Sequence, residues 1–168
     1  DILHATAEVE KLSASMPFTE AVYTLNKISQ EYLVRPMGIF QLIDYVGVDV
    51  CSFIMSVMNP YLPEENLHSP LLDRLLEQGV KGGQYSDGSQ KDGILKYEKG
   101  RPVAVWNPDT RAYAAIADFQ AKTDERLGAM PAPPAWKAVV GSKSKDDLLR
   151  GYFDVLKKEP GFGAVLAK

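Results

Sequence analysis

The sequence predicts a mainly α-helical protein with a small β-hairpin. Along most of the chain, apolar residues recur at the spacing of helices that bury one face. Prolines, glycines and capping residues divide these segments from one another. Residues 94–97 and 103–106 depart from the helical pattern and are typical of two short strands, joined by a turn at Lys99 and Gly100.

The most apolar run, residues 35–58, predicts two helices joined by a tight corner. Pro36 suits the first turn of a helix, and Gly47 permits the left-handed backbone that ends one. Asp49 is a candidate cap for the second helix. Because two such helices cannot both be exposed, we expect this corner to be the buried heart of a helical domain. Its expected inward residues are Ile39, Phe40, Leu42, Ile43, Val46, Val50, Phe53, Ile54, Val57 and Met58.

Two helices are predicted before this run and one after it. Asp1 and Thr19 are candidate N-caps for the first two, and Ser69 followed by Pro70 is a strong start for the third, which Gly79 closes. The expected inward residues are Ile2, Val9 and Leu12, then Ala21, Leu25, Ile28 and Tyr32, then Leu71, Leu72, Leu75 and Leu76.

The remainder of the chain predicts a loop, strands and further helices. Residues 79–93 are rich in Gly and polar residues, which favours an exposed loop. A third strand is predicted over residues 113–116, and a helix capped by Asp118 is ended by Gly128. Prolines at 131, 133 and 134 indicate a stiff linker, and Ser144 is a candidate cap for a last helix, broken by Pro160 and Gly161.

Composition excludes several functional classes. The chain has 168 residues, of which 45% are hydrophobic and 24% charged, as in an ordinary globular protein. A net charge of −3 gives no electrostatic reason to expect binding to nucleic acid or to an anionic membrane, and no apolar run is long enough for a membrane span.

Cys51 is the only cysteine, which is consistent with a reducing compartment, and we expect the cytoplasm. The first residues lack the pattern of a signal peptide and a starting Met, so we expect a fragment of a longer polypeptide.

Residues 35–49 carry a family resemblance. Arg-Pro-Met-Gly, then Phe, Leu, Asp-Tyr-Val-Gly and Asp, resembles the C-terminal domain of the 3-hydroxyacyl-CoA dehydrogenases of fatty-acid β-oxidation. Such domains are helical bundles of the 6-phosphogluconate-dehydrogenase C-terminal type. The resemblance implies a helical domain over residues 1–97, followed at 98–168 by the hairpin, the linker and the C-terminal helices. The matching residues are Arg35, Pro36, Met37, Gly38, Phe40, Leu42, Asp44, Tyr45, Val46, Gly47 and Asp49.

The resemblance implies a division of labour. The family oxidises 3-hydroxyacyl-CoA with NAD, which an upstream nucleotide-binding domain holds together with the catalytic His–Glu pair. This chain has no G-x-G-x-x-G motif, and neither His4 nor His68 lies in a recognisable His–carboxylate motif. We therefore expect no catalytic, cofactor-binding or metal-binding residue here, and a chain that is inactive alone. A homodimer is expected, because removal of the nucleotide domain exposes an apolar cleft wall.

The acyl side of the substrate pocket can be transferred from the family to this sequence. The resemblance implies that Pro36, Met37 and Leu42 contact the acyl chain, whose alkyl tail gains from burial. The alternative is that Met37 and Leu42 are ordinary core residues. Asp44 is expected to accept backbone N–H groups near a helix end or to pair with a basic residue. In the Gly-rich motif that ends the family domain, Gly93 and Tyr97 are kept, whereas Leu95 and Lys96 replace Gly and Phe.

Two other functions fit the sequence. The chain is alternatively a non-enzymatic helical interaction module, or part of a related two-domain dehydrogenase that acts on hydroxyacids or sugar acids.

Overall fold

The computed structural model describes residues 1–128 and 131–158 and confirms a mainly α-helical fold with a small antiparallel sheet. Between the helices and strands of the described residues lie three short 3₁₀ or π turns: Ile28–Tyr32, Asn59–Tyr61 and Ile116–Asp118. The described helices are α1 (Ile2–Leu12), α2 (Phe18–Lys27), α3 (Ile39–Val46), α4 (Val48–Met58), α5 (Pro70–Glu77), α6 (Gln120–Leu127), α7 (Trp136–Gly141) and α8 (Lys145–Leu156). The strands are β1 (Leu95–Glu98), β2 (Arg101–Asn107) and β3 (Ala112–Ala115).

One hydrophobic core joins the helices α1 to α5 to the sheet. The boundary predicted between residues 97 and 98 falls inside the β1–β2 hairpin, so both predicted segments contribute to this core. The division into domains itself stays a prediction. Fully buried members of the core are Val9, Val22, Phe40, Ile43, Leu72, Leu75, Ile94, Leu95 and Val105.

The sheet has the order β1-β2-β3, and both pairs are antiparallel. Lys99 and Gly100 both have positive φ, at 50° and 75°, as the two central residues of a type I′ hairpin turn require. The predicted hairpin and third strand are therefore confirmed. The Trp106 Nε1–H donates to Oε1 of Gln78 at 2.8 Å, which ties the sheet to the end of α5.

The α3–α4 corner is only half buried, which corrects the prediction of a buried heart. Gly47 ends α3 as predicted, with φ of +106°. α3 packs Ile39, Phe40 and Ile43 into the core. In α4 the inward residues are Val48, Cys51 and Met55, whereas the five that were predicted to point inward are 42% to 67% exposed. Both faces of α4 are apolar, so periodicity alone does not identify the buried one.

Several helix starts also differ from prediction. Thr19 lies inside α2, whose N-cap is Pro17. Pro36 precedes α3, which begins after Gly38. Asp49 lies in the first turn of α4 rather than at its cap. Ser69 is a true cap, because its hydroxyl accepts from the N–H of Leu72 at 3.4 Å.

The remaining predicted caps give no side-chain capping bond. Asp1 and Ser144 occupy N-cap positions without such a bond, and Asp118 lies in the turn ahead of α6. Gly128 ends α6 as predicted, at a φ of +71°. α7 was not predicted, and the predicted break at Pro160 and Gly161 lies outside the described residues.

The chain after the sheet packs on α2 and on the turn that follows α2. Glu20, whose side chain is 7% exposed, accepts from Arg126 at 3.0 Å and from Lys122 at 3.3 Å, and both basic residues belong to α6. Asp124 of α6 pairs with Lys27 of α2 at 2.9 Å. The helices α7 and α8 form a second apolar cluster with the residues around that turn: Tyr32, Val34, Val139, Tyr152 and Leu156.

Candidate functional site

The site predicted from the sequence lies at the turn before α3 and on the first turn of that helix. Pro36 is exposed, Met37 is half-buried and Leu42 is 37% exposed. Neither Met37 nor Leu42 belongs to the two apolar clusters of the described residues. All three predicted substrate-contacting residues therefore present some surface to solvent, and their binding role stays a prediction.

Side chains from the end of α2 hold the start of α3 in place. The Oδ1 atom of Asn26 accepts from the N–H groups of Phe40 and Gln41 at 3.1 and 3.2 Å. The hydroxyl of Ser29 accepts from the N–H of Ile39 at 2.8 Å. The first N–H groups of α3 are thus satisfied by buried side chains, which leaves them no capacity to bind an anion.

Asn26 and Ser29 were not identified from the sequence. A signal was present, because both polar residues directly follow members of the apolar stripe predicted for this segment, Leu25 and Ile28. A buried polar side chain needs a hydrogen-bond partner, and the exposed donors of a helix start are a common one. The close approach also explains Gly38, since a Cβ atom at that position would collide with the Asn26 side chain.

The outer surface of the corner is an apolar face that the described residues leave uncovered. We call the exposed residues of α3, α4 and the turn after them the corner face. Their exposed fractions run from 37% to 82%, and the largest values belong to Phe53 and Tyr61. Patches of this kind on a folded domain mark binding or assembly surfaces. The corner face consists of Leu42, Tyr45, Val46, Val50, Phe53, Ile54, Val57, Met58, Tyr61 and Leu62.

A membrane span requires a helix of sufficient length and apolar character. Among the described residues, no single helix is long and apolar enough to cross a membrane, although α3 and the segment Val48–Tyr61 together meet that criterion as a pair bent by 88°.

Asp44 lies beneath the corner and is fully buried. Its Oδ1 atom accepts from the N–H of Ile94 at 2.7 Å, and its Oδ2 atom accepts from the N–H of Leu95 at 2.8 Å and from the hydroxyl of Tyr97 at 3.0 Å. The predicted role as an acceptor of backbone N–H groups is confirmed. The donors, however, belong to the start of β1 rather than to a helix end.

Burial raises the pKa of Asp44 to about 7, while its three hydrogen bonds act in the opposite direction by favouring the charged form. The same environment raises the pKa of the Tyr97 hydroxyl, first through burial and then through the Asp44 charge. A group bonded by two backbone amides and a tyrosine has no open position for a substrate. Asp44 therefore holds the hairpin against α3.

The Gly-rich loop before β1 packs against the same residue. The Asp44 carbonyl accepts from the N–H of Gly83 at 2.7 Å and from Nε2 of Gln90 at 3.0 Å. A Cβ atom at Gly93 would collide with the Asp44 carboxylate, which explains why glycine is kept there. Several backbone donors of this loop, including those of Gly83, Lys91 and Gly93, thus bond within the protein.

His68 has a partner that the sequence did not reveal. Its Nε2 atom lies 2.6 Å from Oδ2 of Asp73, and both side chains are about half exposed. The two residues occupy the positions just before and one turn after the cap at Ser69, which commonly contact each other at a helix start. They line a groove of about 320 Å³ between α4 and α5.

His4, by contrast, is exposed on α1. No group of three or more His, Cys, Asp or Glu that could hold a metal occurs in the described part of the chain.

The fold and the corner define a mainly α-helical domain with an apolar face that the described residues leave uncovered. Residues 20–92 match the model of the family described as 3-hydroxyacyl-CoA dehydrogenase, C-terminal domain. The predicted resemblance to this family is thus confirmed over residues 20–92.

Curated relatives match over the same region. Two probable 3-hydroxyacyl-CoA dehydrogenases of Caenorhabditis elegans are 45% identical over 58 residues and 42% identical over 56 residues, which are 33% and 32% of this chain and 19% of each relative. A probable 3-hydroxybutyryl-CoA dehydrogenase of Deinococcus radiodurans is 32% identical over 73 residues, or 43% of this chain and 25% of the relative. The matched stretch thus spans a fifth to a quarter of these relatives. No solved structure gives a significant match.

The Asp44 carboxyl predicts a pH dependence of stability. An ordinary Asp has a pKa near about 4 in the unfolded chain. Between about pH 4 and 7 the folded state therefore binds more protons at Asp44, and the free energy of unfolding falls as pH rises. Urea unfolding of Asp44→Asn across this range should show a flatter pH profile than wild type, as well as lower stability, because an amide N–H₂ faces backbone donors.

Asp49→Asn is the matched control, because Asp49 is exposed one turn away and accepts only from the N–H of the residue that follows it. It should keep the wild-type pH profile. Equal profiles for wild type and Asp44→Asn would contradict the assignment of this dependence to Asp44.

Proposed function

We propose that this chain supplies the substrate-side wall and the dimerisation surface of an NAD-dependent 3-hydroxyacyl-CoA dehydrogenase. The observation that carries the proposal is the uncovered corner face within a segment that matches this family's C-terminal domain. In the complete enzyme, 3-hydroxyacyl-CoA is oxidised to 3-ketoacyl-CoA, with NAD accepting the hydride. We place this reaction in fatty-acid β-oxidation and the enzyme in the cytoplasm.

The described residues do not fit NAD. A pyrophosphate is usually held by free N–H groups at a glycine-rich strand–helix turn. Here the first N–H groups of α3 donate to the side chains of Asn26 and Ser29, and in the Gly-rich loop the N–H of Gly83 donates to the Asp44 carbonyl. We therefore assign NAD and the proton-transferring pair to a nucleotide-binding domain upstream of this segment.

The contribution of this chain is to position the acyl group and to exclude water. An alkyl tail gains about 25 cal/mol for each Å² of apolar surface removed from water. Pro36, Met37 and Leu42 offer such surface beside α3, and no ionisable group of this chain is required at the reacting carbon. A wall of this type lowers the barrier by orienting the substrate rather than by transferring protons.

Half of the ten corner-face residues lie on α4, beyond the residues proposed for the acyl chain. We assign this outer part to contact with a second copy of the chain. A few residues at the centre of such an interface, often aromatic ones, contribute most of the association energy. A non-enzymatic interaction module would use the same surface, so binding of acyl-CoA separates the two functions.

The division of labour predicts that the chain alone is catalytically silent. With NAD and 3-hydroxybutyryl-CoA, the purified chain should produce no NADH absorbance above that of a protein-free reaction. Hydride transfer by this chain alone would contradict the assignment of catalysis to another domain.

Enlarging Met37 should change chain-length preference in the complete enzyme. Met37→Phe narrows the space beside α3, so kcat/KM for 3-hydroxydecanoyl-CoA should fall about tenfold relative to that for 3-hydroxybutyryl-CoA. Met16→Phe is a matched control, because Met16 is also half-buried but packs on the main core. An unchanged ratio of the two kcat/KM values in Met37→Phe would count against the pocket assignment.

A charge in the corner face should prevent dimerisation. Phe53 is 67% exposed on α4, and Phe53→Asp places an unpaired carboxylate where the proposed interface is most apolar. Sedimentation velocity should show a dimer for wild type and a monomer for Phe53→Asp at the same concentration. Tyr85→Asp, at a 57% exposed aromatic in the Gly-rich loop, should remain dimeric. A monomeric wild type, or a dimeric Phe53→Asp, would exclude this interface.

A further inference from the structure

The turn that carries Pro36 and Met37 contains an unfavourable backbone conformation. Val34 has a φ of +52°, in the left-handed region that β-branched residues rarely adopt. It follows the π turn Ile28–Tyr32, where the N–H of Leu33 bonds to the Ile28 carbonyl at 3.1 Å. A strained residue of this kind persists only where the surroundings hold it.

The turn is closed by the N–H of Arg35, which donates to the Gln30 carbonyl at 2.9 Å, and its residue Val34 packs with the C-terminal helices. Val34 is 4% exposed and lies in one cluster with Val139 of α7 and with Tyr152 and Leu156 of α8. Leu156 is fully buried, although it lies in the last turn of its helix. The packing of α7 and α8 thus covers the residue that precedes Arg35 and Pro36.

The other end of the same turn is held by Asn26 of α2 and Ser29 of the π turn, whose side-chain oxygens accept from the first N–H groups of α3. Between these two attachments, Pro36 is exposed and Met37 is half-buried. The position of both residues therefore depends on two restraints, of which one lies beyond the segment that matches the family.

We propose that α7 and α8 are a positioning clamp, which holds Val34 in its strained conformation and thereby sets the position of Pro36 and Met37 for the acyl chain. Val34 and Leu156 are positioning residues, since they act through the turn rather than on the substrate. The role in substrate binding rests on the proposed function, whereas the mechanical coupling between α8 and the turn does not. Coupling of this type is reciprocal.

Hydrogen exchange on the full chain tests the coupling. Leu156→Ala removes the buried side chain of the clamp, so amides of residues 33–41 should exchange at least tenfold faster. Amides of β2 should keep their wild-type rates, which separates release of the clamp from general destabilisation. Tyr152→Phe is the matched control, because it keeps the packed ring and removes a hydroxyl without a hydrogen-bond partner among the described residues. It should exchange as wild type does.

The reciprocal variant perturbs the turn and reads out α8. Val34→Ala removes the two methyl groups that face the clamp, so amides of residues 145–156 should exchange at least fivefold faster. If Leu156→Ala leaves residues 33–41 unchanged, or if Val34→Ala leaves residues 145–156 unchanged, the clamp is overturned.

A binding measurement separates the clamp from the proposed function. In a chain carrying ¹³C-methyl methionine, the Met37 methyl signal should shift on addition of 3-hydroxybutyryl-CoA, with a Kd at least fivefold higher in Leu156→Ala than in wild type. Coupled exchange without any Met37 response would overturn the substrate-side assignment and leave the mechanical coupling supported. Equal Kd values for the two proteins would overturn the positioning role.

Discussion

The buried carboxylate of Asp44 is the interaction on which the arrangement of this protein depends. This α3 side chain accepts hydrogen bonds from two backbone N–H groups at the start of β1 and from the hydroxyl of Tyr97. The backbone carbonyl of Asp44 accepts a further hydrogen bond from Gly83 in the Gly-rich loop. A buried carboxylate without such donors would be strongly unfavourable. These hydrogen bonds therefore fix the sheet and the loop against α3. The sheet and the loop cover the side of the α3–α4 corner on which Asp44 lies.

Closing the inner side leaves the outer side open. α3 presents Phe40 and Ile43 to the core, while most of the apolar surface of α4 faces outward. The same corner thus contributes to the core on one side and leaves an apolar surface uncovered by the described residues on the other. The C-terminal helices do not cover this face but pack at Tyr32 and Val34, beside its edge.

Much of the fold was predictable because its signals are local. Ser69 with Pro70, Gly47, Gly128 and the type I′ turn at Lys99 and Gly100 each act through backbone preferences of a few residues. The motif at residues 35–49 likewise identified the family without any tertiary information. One prediction failed because a helix start is capped by side chains distant in sequence: α3 begins after Gly38, where Asn26 and Ser29 satisfy its donors.

The sequence by itself determined the helical class, the hairpin, the family of residues 20–92 and the positions proposed for the acyl chain. Only the tertiary structure decided which face of α4 is buried, which groups Asp44 bonds and that α8 packs in one cluster with Val34. The physical reason is that helical periodicity reports how apolar each face is. Which of two apolar faces is covered depends on contacts between residues far apart in the chain.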